Sequence, residues 1–530
     1  ILYILRALRD EGINIVTAKF EPSAGFMGLV YSRITSKPGI VIVTAGPGAF
    51  GTLLPLGQAL VEGDPLIIIA TVALSERGTA MHQLPNADSQ FQVFRPLTKA
   101  SFRVSKVNEI RDVINKAFSV ALSGKPGPVY IEIVPEVLEE EYSMEDEQLL
   151  IEINKPQAHS SEVKKVADLL SEAERPVIIA GRGVYLSGAK EELLKVAELL
   201  SAPIATTIMA KGLISPDHKL FAGVAAGKAG NLVAHEIIRT ADVVLAIGNR
   251  FSEIGTGRYS LEIRGELIHV NVDPIDLGRA YRPTIAVLAD AKDFLTKLLI
   301  ELSKREIKSK EYLIKELREL WRLENEDLEK YYENAWGPIK SWEVIKAIRK
   351  VLKRKNNIFI GDVGAHRIES FLMPIYEGEL YITTTSYVSM GLAVPGSVAS
   401  SFVYPDRDTI ALVGDGGFLM TGLEVATAVE YRLNPKIVVF NDSAYRVLGI
   451  YEKRRYRNVT EKLFKLSYVD FAKLSESLGA KGIKIRERSE LESVLEESFN
   501  SREPVVVDII IDPYAVPIPF QRLYGMSSLH

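Results

Sequence analysis

The sequence predicts an α/β protein built from three doubly wound parallel sheets. Its 530 residues exceed what one core usually holds, since a typical domain has about 150 residues. Apolar strand-like runs alternate with helical patterns along the chain, which is typical of parallel sheets. Several runs end in a glycine turn that opens a helix, as in a βαβ unit. We therefore expect domains at 1–140, 160–302 and 341–512.

Within the first domain, residues 1–12 have the pattern of an amphipathic helix that ends at Gly12. The segment INIVTA, residues 13–18, predicts a strand, and a helix follows from about Ser23. Two further strands are predicted in IVIVTA and PLIIIAT, separated by a glycine turn and a helix. The acidic stretch EVLEEEYSMEDEQ then predicts a linker.

Strand patterns continue in the second and third domains. The second contains RPVIIAGRG, ADVVLAIGNRF and ELIHVNVDP, each a buried strand followed by a turn. A charged helical segment, residues 303–336, leads to the third domain. There TIALVGDGG and KIVVFNDSAY predict two strands joined by a helix, so both strand ends should meet at one edge of a parallel sheet.

Composition excludes several classes of protein. Hydrophobic residues make up 47% of the chain and its formal net charge is −4, as in an ordinary globular protein. Basic residues form no block with aromatics, and apolar runs are short, so we expect neither nucleic-acid binding nor a membrane span. Cysteine is absent, which excludes disulfides and thiolate metal sites. We expect a cytoplasmic protein. The Lys- and Glu-rich segments suit either a thermophilic source or solvated helices with ion pairs.

The two strand ends of the third domain carry the groups of an anion and metal site. Gly416 and Gly417 allow close approach of an anion to the backbone at a helix N-terminus. Asp415 and Asp442 offer the oxygen ligands that Mg²⁺ prefers. Together they predict a Mg²⁺-diphosphate site, whereas Gly-Asp-Gly alone would more often be a tight turn with solvated acids.

The chain resembles thiamine diphosphate enzymes of the acetolactate synthase, pyruvate oxidase and 2-oxo-acid decarboxylase group. KFEPSAGFMGLVYSRITSKPGIVIVTAGPG, from Lys19 to Gly48, is similar to that group's glutamate-bearing segment. FRPLTKASFRV, VGAHRIES, SMGLAVPG and GDGGFLM follow in the group's order and at its spacing. Relatives begin with a further helix and strand, so the resemblance implies that the amino-terminal part of the first domain is missing.

The resemblance implies roles for individual residues. The Glu21 carboxylate would hydrogen-bond the pyrimidine N1′ of the cofactor, although a first-turn carboxylate on a helix is the structural alternative. Asp415, Asp442 and the carbonyl of Ala444 would bind Mg²⁺, with Asn441 as ligand if the register shifts. Met390 would support the bent cofactor, or else be a core methionine. The implied cofactor contacts are Gly364, His366, Met390, Gly414, Asp415, Gly416, Gly417, Asn441 and Asp442.

Two further regions carry implied contacts. His82 and Gln83, with Asn86 as a third candidate, would face the reacting carbon, or else belong to a polar loop. In the second domain Gly181, Arg250 and Asp273 would contact FAD, as in acetolactate synthases and pyruvate oxidases. Decarboxylases of the group keep this domain without flavin, and AAGKAGN departs from the relatives' Gly-Met-His-Gly stretch.

The implied reaction is decarboxylation of a 2-oxo acid with transfer to a second 2-oxo acid. Simple decarboxylation, an FAD-dependent oxidase and a non-catalytic cofactor-binding relative are the alternatives. Arg446 and Tyr451 stand where acetolactate synthases usually have glycine and tryptophan. Arg446 could bind a carboxylate or phosphate, or be a solvated helix residue. The resemblance also implies a homodimer or homotetramer whose active sites lie between subunits.

Overall fold

A computed structural model describes residues 1–72, 88–142, 151–333, 336–352, 356–457 and 459–529. Within these residues the strands form one four-stranded and two six-stranded sheets. All of the pairings between the named strands are parallel. The predicted α/β fold with three parallel-sheet domains is confirmed. No helix in the described ranges is long and apolar enough to cross a bilayer.

The first domain contains the four-stranded sheet, with strand order β1-β2-β4-β3. Its strands are β1 Gly39–Val43, β2 Leu66–Thr71, β3 Ala100–Val104 and β4 Val129–Ile133. Its helices are α1 Leu2–Asp10, α2 Glu21–Thr35, α3 Pro47–Gly51, α4 Leu53–Glu62, α5 Ser89–Phe94 and α6 Ile110–Leu122. The predicted first helix and both strands around the glycine turn are therefore confirmed.

The strand expected at residues 13–18 does not form, and that prediction is wrong. The segment has no regular secondary structure and pairs with no strand of the described sheet. Its polar backbone groups instead contact the third domain, where the Tyr431 hydroxyl accepts from Thr17 N at 3.0 Å and donates to Ile15 O at 3.3 Å. An alternating apolar pattern predicts an extended chain, but only a neighbouring strand makes that chain part of a sheet.

The second domain contains a six-stranded sheet of order β7-β6-β5-β8-β9-β10. Its strands are β5 Pro176–Ala180, β6 Ile204–Thr206, β7 Phe221–Val224, β8 Val243–Ile247, β9 Glu266–Asn271 and β10 Ile285–Leu288. Its helices are α7 Ser160–Glu172, α8 Arg182–Leu186, α9 Lys190–Leu200, α10 Leu232–Arg239 and α11 Ala291–Leu302, and α12 Glu311–Glu333 follows. The strand order reverses between β5 and β8, where doubly wound sheets open a crevice.

The third domain contains the other six-stranded sheet, of order β12-β11-β13-β14-β16-β15. Its strands are β11 Ile358–Gly361, β12 Leu380–Ile382, β13 Thr409–Gly414, β14 Lys436–Asn441, β15 Lys481–Ile485 and β16 Val505–Ile510. Its helices are α13 Ser341–Val351, α14 Ala365–Glu369, α15 Ala393–Val403, α16 Asp415–Thr421, α17 Val425–Glu430, α18 Arg446–Tyr456, α19 Glu461–Phe464, α20 Phe471–Ser477, α21 Leu491–Phe499 and α22 Ile518–Tyr524.

The first and third domains share one hydrophobic core. Phe26 and Leu29 on α2 belong to the same buried cluster as Ile360 on β11 and Ala411 on β13. Helix α2 can pack closely because it contains glycine at position 28, where a Cβ would come within 2.8 Å of side chains of the first sheet. The helix that begins with Glu21 is thereby fixed against the domain that carries Asp415.

A buried polar junction joins all three domains. Glu62 accepts hydrogen bonds from Arg33 in its own domain at 2.6 Å and from the third-domain Thr385 N at 2.8 Å. Arg182 of the second domain donates to the Glu62 carbonyl at 2.9 Å and also pairs with Asp64. Because the buried charges are paired, the junction holds the domains together without leaving a charge desolvated and alone.

Candidate active site

The ends of β13 and β14 meet, as the spacing of the two motifs predicts. The strands pair in parallel with Gly414 opposite Phe440, so Asp415 and Asp442 emerge at the same edge of the sheet. The backbone N–H of Ala444 donates to Oδ2 of Asp415 and to Oδ1 of Asp442, each at 3.1 Å. Two carboxylates thus share one donor within a buried corner, a donor arrangement that a divalent cation would complete.

Burial shifts the protonation of both carboxyl groups in this corner. Asp415 is only 4% exposed, and burial, with the neighbouring charge of Asp442, raises the pKa of Asp415 to about 7. Burial also raises the pKa of Asp442, against the opposing effect of Arg446. A bound cation would favour the ionised form of both carboxyl groups and offset this desolvation.

Ser443 and Asn441 determine which groups face this corner. Ser443 has φ 53°, in the left-handed region, and this turn brings the Ala444 N–H to the carboxylates. Asn441 points elsewhere, because its Nδ2 donates to Asp508 on β16 at 2.9 Å and to Val469 O at 3.1 Å. Successive side chains of a strand alternate between faces, so this arrangement favours Asp442 over Asn441 as the ligand. The assignment of Asn441 to cofactor binding stays a prediction.

His366 places an unpartnered nitrogen at the same sheet edge. Its ring stacks on Phe440 at 5.1 Å, is 3% exposed, and its Nε2 has no hydrogen-bond partner among the described residues. Burial lowers the pKa of His366 to about 3, with Arg367 and Arg446 adding to the shift, so the imidazole is neutral. A buried polar atom without a partner is costly, which indicates that a ligand satisfies it.

Glycines make room for this ring and for the turn beside it. A Cβ on Gly364 would lie 2.6 Å from Cε1 of His366, and one on Gly414 would lie 3.3 Å from the same atom. A Cβ on Gly416 would lie 2.5 Å from the Tyr445 ring. Gly417 is equally enclosed, since its Cβ would lie 3.1 Å from Val413. The backbone of this edge is therefore open only because these positions lack side chains.

Met390 lies beside the same turn. The Cβ that Gly416 lacks would lie 3.3 Å from the terminal methyl of Met390. The loop is held by Asp362 at the end of β11, whose carboxylate accepts from Gly391 N at 3.0 Å and from Ala393 N at 3.1 Å. Sequence reasoning missed Asp362, although a polar residue directly after the buried strand IFIG was a signal of the same kind as Asp415.

Glu21 is the first residue of α2 and lies against the glycine turn after β1. A Cβ on Gly51 would come within 2.9 Å of the Glu21 Cβ, and one on Gly48 within 3.5 Å of its Oε1. The preceding residue, Phe20, donates its N–H to Glu424 of the third domain at 3.1 Å. The carboxylate is thus placed on a helix that the third domain holds, beside a turn too tight for larger residues.

The donor set fits a magnesium diphosphate group. Two buried carboxylates and the nearby Ala444 backbone suit Mg²⁺, and open glycine backbone with a free imidazole nitrogen suits phosphate oxygens. In the described part of the chain, no group of three or more His, Asp or Glu side chains is arranged to hold a metal ion. A metal held here would therefore depend on backbone oxygen and on the ligand itself for its remaining coordination.

The second-domain crevice is built similarly, and some of its charged groups bind the first domain, whereas Nε of Arg250 and Oδ1 of Asp276 are buried without a hydrogen-bond partner among the described residues. Gly181 follows β5 and lies against the turn after β8, where its Cβ would come 2.2 Å from Gly248 O. Arg250 donates to the first-domain Val61 O, and Asp273 accepts from Lys125 Nζ at 2.9 Å. Two of the three residues predicted to contact FAD, Arg250 and Asp273, thus join the second domain to the first.

A cavity of about 260 Å³ lies at this crevice, lined by residues of all three domains including Lys125, Arg250 and Thr385. Ligand pockets usually measure about 300–1,000 Å³. The cavity lies just below this range, and Arg250 and Asp273 are engaged with the first domain at its edge. The assignment of Gly181, Arg250 and Asp273 to FAD binding stays a prediction.

The remaining predicted residues, His82 and Gln83, lie outside the described residues, as does Asn86. The catalytic roles assigned to His82 and Gln83 stay predictions.

Comparisons with known proteins agree with this architecture. Residues 1–92 match the N-terminal TPP binding domain of thiamine pyrophosphate enzymes, residues 163–298 their central domain, and residues 362–509 their C-terminal TPP binding domain. The chain is 31% identical to a probable acetolactate synthase large subunit of Methanocaldococcus jannaschii, over 96% of this chain and 87% of that protein.

Bacterial relatives are similarly extensive. The chain is 31% identical to an acetolactate synthase large subunit of Buchnera aphidicola, over 98% of this chain and 92% of the relative. It is 27% identical to an acetolactate synthase of Bacillus subtilis, over 96% and 88% respectively. With its three matching domains and a near full-length match at 31% identity, the chain belongs to the thiamine pyrophosphate enzyme family.

Proposed function

We propose that this protein uses thiamine diphosphate and Mg²⁺ to decarboxylate a 2-oxo acid and ligate the remaining unit to a second 2-oxo acid, in the manner of acetolactate synthase. The observation that carries the proposal is the buried corner in which Asp415, Asp442 and the Ala444 backbone converge. Its support is the near full-length similarity to acetolactate synthase large subunits.

In this proposal the third domain holds the cofactor by its charged end. Asp415, Asp442 and the carbonyl of Ala444 would bind Mg²⁺, and the backbone at Gly416 and the Nε2 of His366 would face phosphate oxygens. Thiamine diphosphate, when bound, supplies the electron sink that lets a 2-oxo acid lose carbon dioxide. The protein's own contribution is to bind, orient and desolvate the reacting groups.

The first domain would contribute the proton-handling group. The Glu21 carboxylate would hold a proton at the pyrimidine N1′, and its fixed place at the start of α2 would keep that contact short. Met390, beside Gly416, would supply the apolar surface that supports the cofactor's bend. Asp362 supports this arrangement because it anchors the backbone of the residue that follows Met390.

We also propose that the active enzyme is a homodimer with Glu21 and Asp415 meeting across the interface. Large apolar side chains are exposed on the elements that carry these residues: Phe20 is 51% exposed, Leu419 48% and Leu423 60%. Clustered apolar exposure of this kind marks an interaction surface. Sedimentation of the purified protein with and without thiamine diphosphate would test this, and full activity of a monomer would contradict it.

Product analysis on pyruvate tests the proposed reaction most directly. The protein is incubated with pyruvate, Mg²⁺ and thiamine diphosphate, alone and with a second 2-oxo acid. Acetolactate or a mixed condensation product is expected. Acetaldehyde without condensation would instead identify a decarboxylase, and peroxide an oxidase. If a panel of 2-oxo acids yields none of these products, the proposed function is wrong.

Simple decarboxylation is the second candidate, because two expected acceptor-pocket positions are engaged internally. Arg446 pairs with Asp442, and the Tyr451 ring packs against Phe520 at 6.1 Å and under Arg258 at 5.3 Å. Neither side chain is arranged to bind a second substrate. An FAD-dependent oxidase is a further alternative, for which Arg250 and Asp273 would have to release their first-domain partners. An absorbance spectrum of the purified protein would detect a bound flavin.

A further inference from the structure

Arg446 and Asp442 form a buried ion pair at the candidate cation site. They lie four residues apart in the chain, and their side chains are only 2% and 7% exposed. Nε and Nη2 of Arg446 both contact Oδ2 of Asp442. Oδ1 of the same carboxylate accepts from Ala444 N at 3.1 Å, the donor that it shares with Asp415. Arg446 therefore occupies one edge of the carboxylate and leaves the other directed at the site.

The other end of the guanidinium is anchored as well. Nη1 of Arg446 donates to Ala515 O at 3.2 Å, in the segment after β16. Ala515 in turn forms an isolated antiparallel bridge with Ser528. The guanidinium is thus held between Asp442 and the carboxyl-terminal segment. This double attachment excludes the solvated-helix alternative and leaves Arg446 poorly placed to bind a substrate carboxylate.

The pair also decides the charge that a ligand meets. Asp415 and Asp442 are close enough to bond the same N–H, so two ionised carboxylates here would repel each other and an incoming diphosphate. With Arg446 included, the three side chains carry one net negative charge instead of two. The guanidinium of Arg367 is a further cation nearby, but its Nη1 is bound to Thr384 O.

We propose that Arg446 is a positioning residue of the cation and diphosphate site: it offsets the charge of Asp442 and orients its free oxygen towards the cation, so that an aspartate can serve there without repelling the diphosphate. This inference rests on the proposed function, because it requires the corner to bind thiamine diphosphate with Mg²⁺. It concerns binding of the cofactor, and Arg446 itself touches neither substrate nor reacting atoms.

Charge balance predicts opposite effects of removing each partner. In Arg446→Met the carboxylate of Asp442 stays without its counter-charge, so thiamine diphosphate should bind about tenfold more weakly while a divalent cation alone binds no more weakly. In Asp442→Asn the guanidinium of Arg446 stays without its carboxylate partner. The cation should then bind about tenfold more weakly, and the affinity for thiamine diphosphate should fall by a smaller factor. The double variant should return both affinities towards those of the wild type.

The experiment uses the full chain and two binding readouts. Calorimetry measures thiamine diphosphate binding at saturating Mg²⁺, and electron paramagnetic resonance measures Mn²⁺ binding without the cofactor. Wild type, Arg446→Met, Asp442→Asn and the double variant are compared, with Arg446→Lys as the conservative replacement that keeps the charge. Thermal melting of each ligand-free protein reports the structural cost, which we expect for both single variants because each leaves a buried charge alone.

The outcomes separate this inference from the proposed function. If the wild type does not bind thiamine diphosphate with Mg²⁺, both fail. If the wild type binds the cofactor and Arg446→Met binds it equally well, only this inference fails. The same holds if every variant loses affinity for cation and cofactor in proportion to its loss of melting temperature, because Arg446 is then structural. If Arg446→Met does not fold, the Asp442→Asn variant is compared with the double variant, because these two proteins differ only in the charge at position 446. The double variant must then bind Mn²⁺ more tightly than Asp442→Asn does.

Discussion

The third-domain and second-domain crevices occupy equivalent places in two parallel sheets, but the carboxylates at their edges have different partners. Each lies at the carboxyl ends of adjacent strands and is opened by a glycine turn. In the third domain, His366 keeps a buried nitrogen without a partner and Asp415 a pKa raised to about 7. In the second, Asp273 is paired with Lys125 across a domain boundary.

This difference shows that position in a fold is not sufficient to make a binding site. The end of a parallel strand offers glycine backbone and polar side chains in either sheet. Whether a ligand is needed depends on which of these groups the protein has already satisfied. The third-domain crevice would gain from a cation and an anion, whereas a ligand in the second would first have to displace the ion pairs of Lys125.

The largest effect should come from removing the Asp415 carboxylate at the third-domain crevice. Asp415→Ala should reduce kcat/KM by about a thousandfold, because a cation ligand and its charge are lost. Asp273→Ala is the matched control at the other crevice and should change kcat/KM by less than about threefold. Steady-state kinetics at fixed cofactor concentration checks both. Equal losses in the two variants would remove the distinction between the crevices.

The next largest effect should come from Glu21, the residue that the first domain is proposed to contribute to the active site. Glu21→Gln keeps the shape of the side chain but loses its charge, so kcat should fall by about a hundredfold with the fold intact. Cofactor affinity measured by calorimetry should change far less than kcat. Glu430→Gln, at an exposed pair with Lys19, is the control and should be neutral. Wild-type turnover in Glu21→Gln would remove Glu21 from the mechanism.

A smaller effect is expected from the free imidazole nitrogen. His366→Phe preserves the stacking on Phe440 but removes Nε2, so thiamine diphosphate should bind about tenfold more weakly. His218→Phe, at a partly exposed ring in the second domain, serves as the control. Calorimetric titration of the cofactor gives both values. Unchanged affinity would mean that the nitrogen has no role in ligand binding.

Asp415 should also make the stability of the cofactor-free protein depend on pH. Its pKa is raised from an ordinary 3.8 to about 7, so its contribution is fully present below about pH 4 and is lost as pH rises towards 7. Relative to Asp415→Asn, the wild type should lose up to about 1 kcal/mol per pH unit across this window. Melting temperatures at several pH values check this. Mg²⁺ with thiamine diphosphate should abolish the loss, and a pH-independent difference would contradict it.

The smallest effect is expected from removing the Lys125 ion pairs at the second-domain crevice. Lys125→Met removes the ion pairs to Asp273 and Asp276 and should lower stability by about 1 kcal/mol, with no change in thiamine diphosphate affinity. Lys190→Met, at an exposed pair with Glu377, should have less effect still. Thermal melting and calorimetry provide the comparison. If Lys125→Met instead gains flavin, detected by its absorbance, the ion pairs are what close the crevice.

The sequence alone predicted the corner formed by Asp415 and Asp442, because the motifs that predict it are local. A buried strand followed by Gly-Asp-Gly, and a second strand followed by Asn-Asp, are visible without coordinates, and βαβ geometry brings their ends together. The same reasoning failed at residues 13–18, where an apolar alternation was present but no neighbouring strand. It left the role of Arg446 open, because the guanidinium contacts both the Asp442 carboxylate and the carbonyl of Ala515 only in the folded chain.

By itself the sequence determined the class of fold, several of the strands, including the two at the candidate site, and the chemistry of the residues at their ends, since these follow from periodicity, turns and residue type. Only the tertiary structure decided which of those residues are satisfied. Lys125 and Asp273 are far apart in the chain, and so are Glu62 and Thr385, yet each pair is in contact. Burial and pairing depend on neighbours from distant segments, so the partners of the polar groups in each crevice follow only from the folded chain.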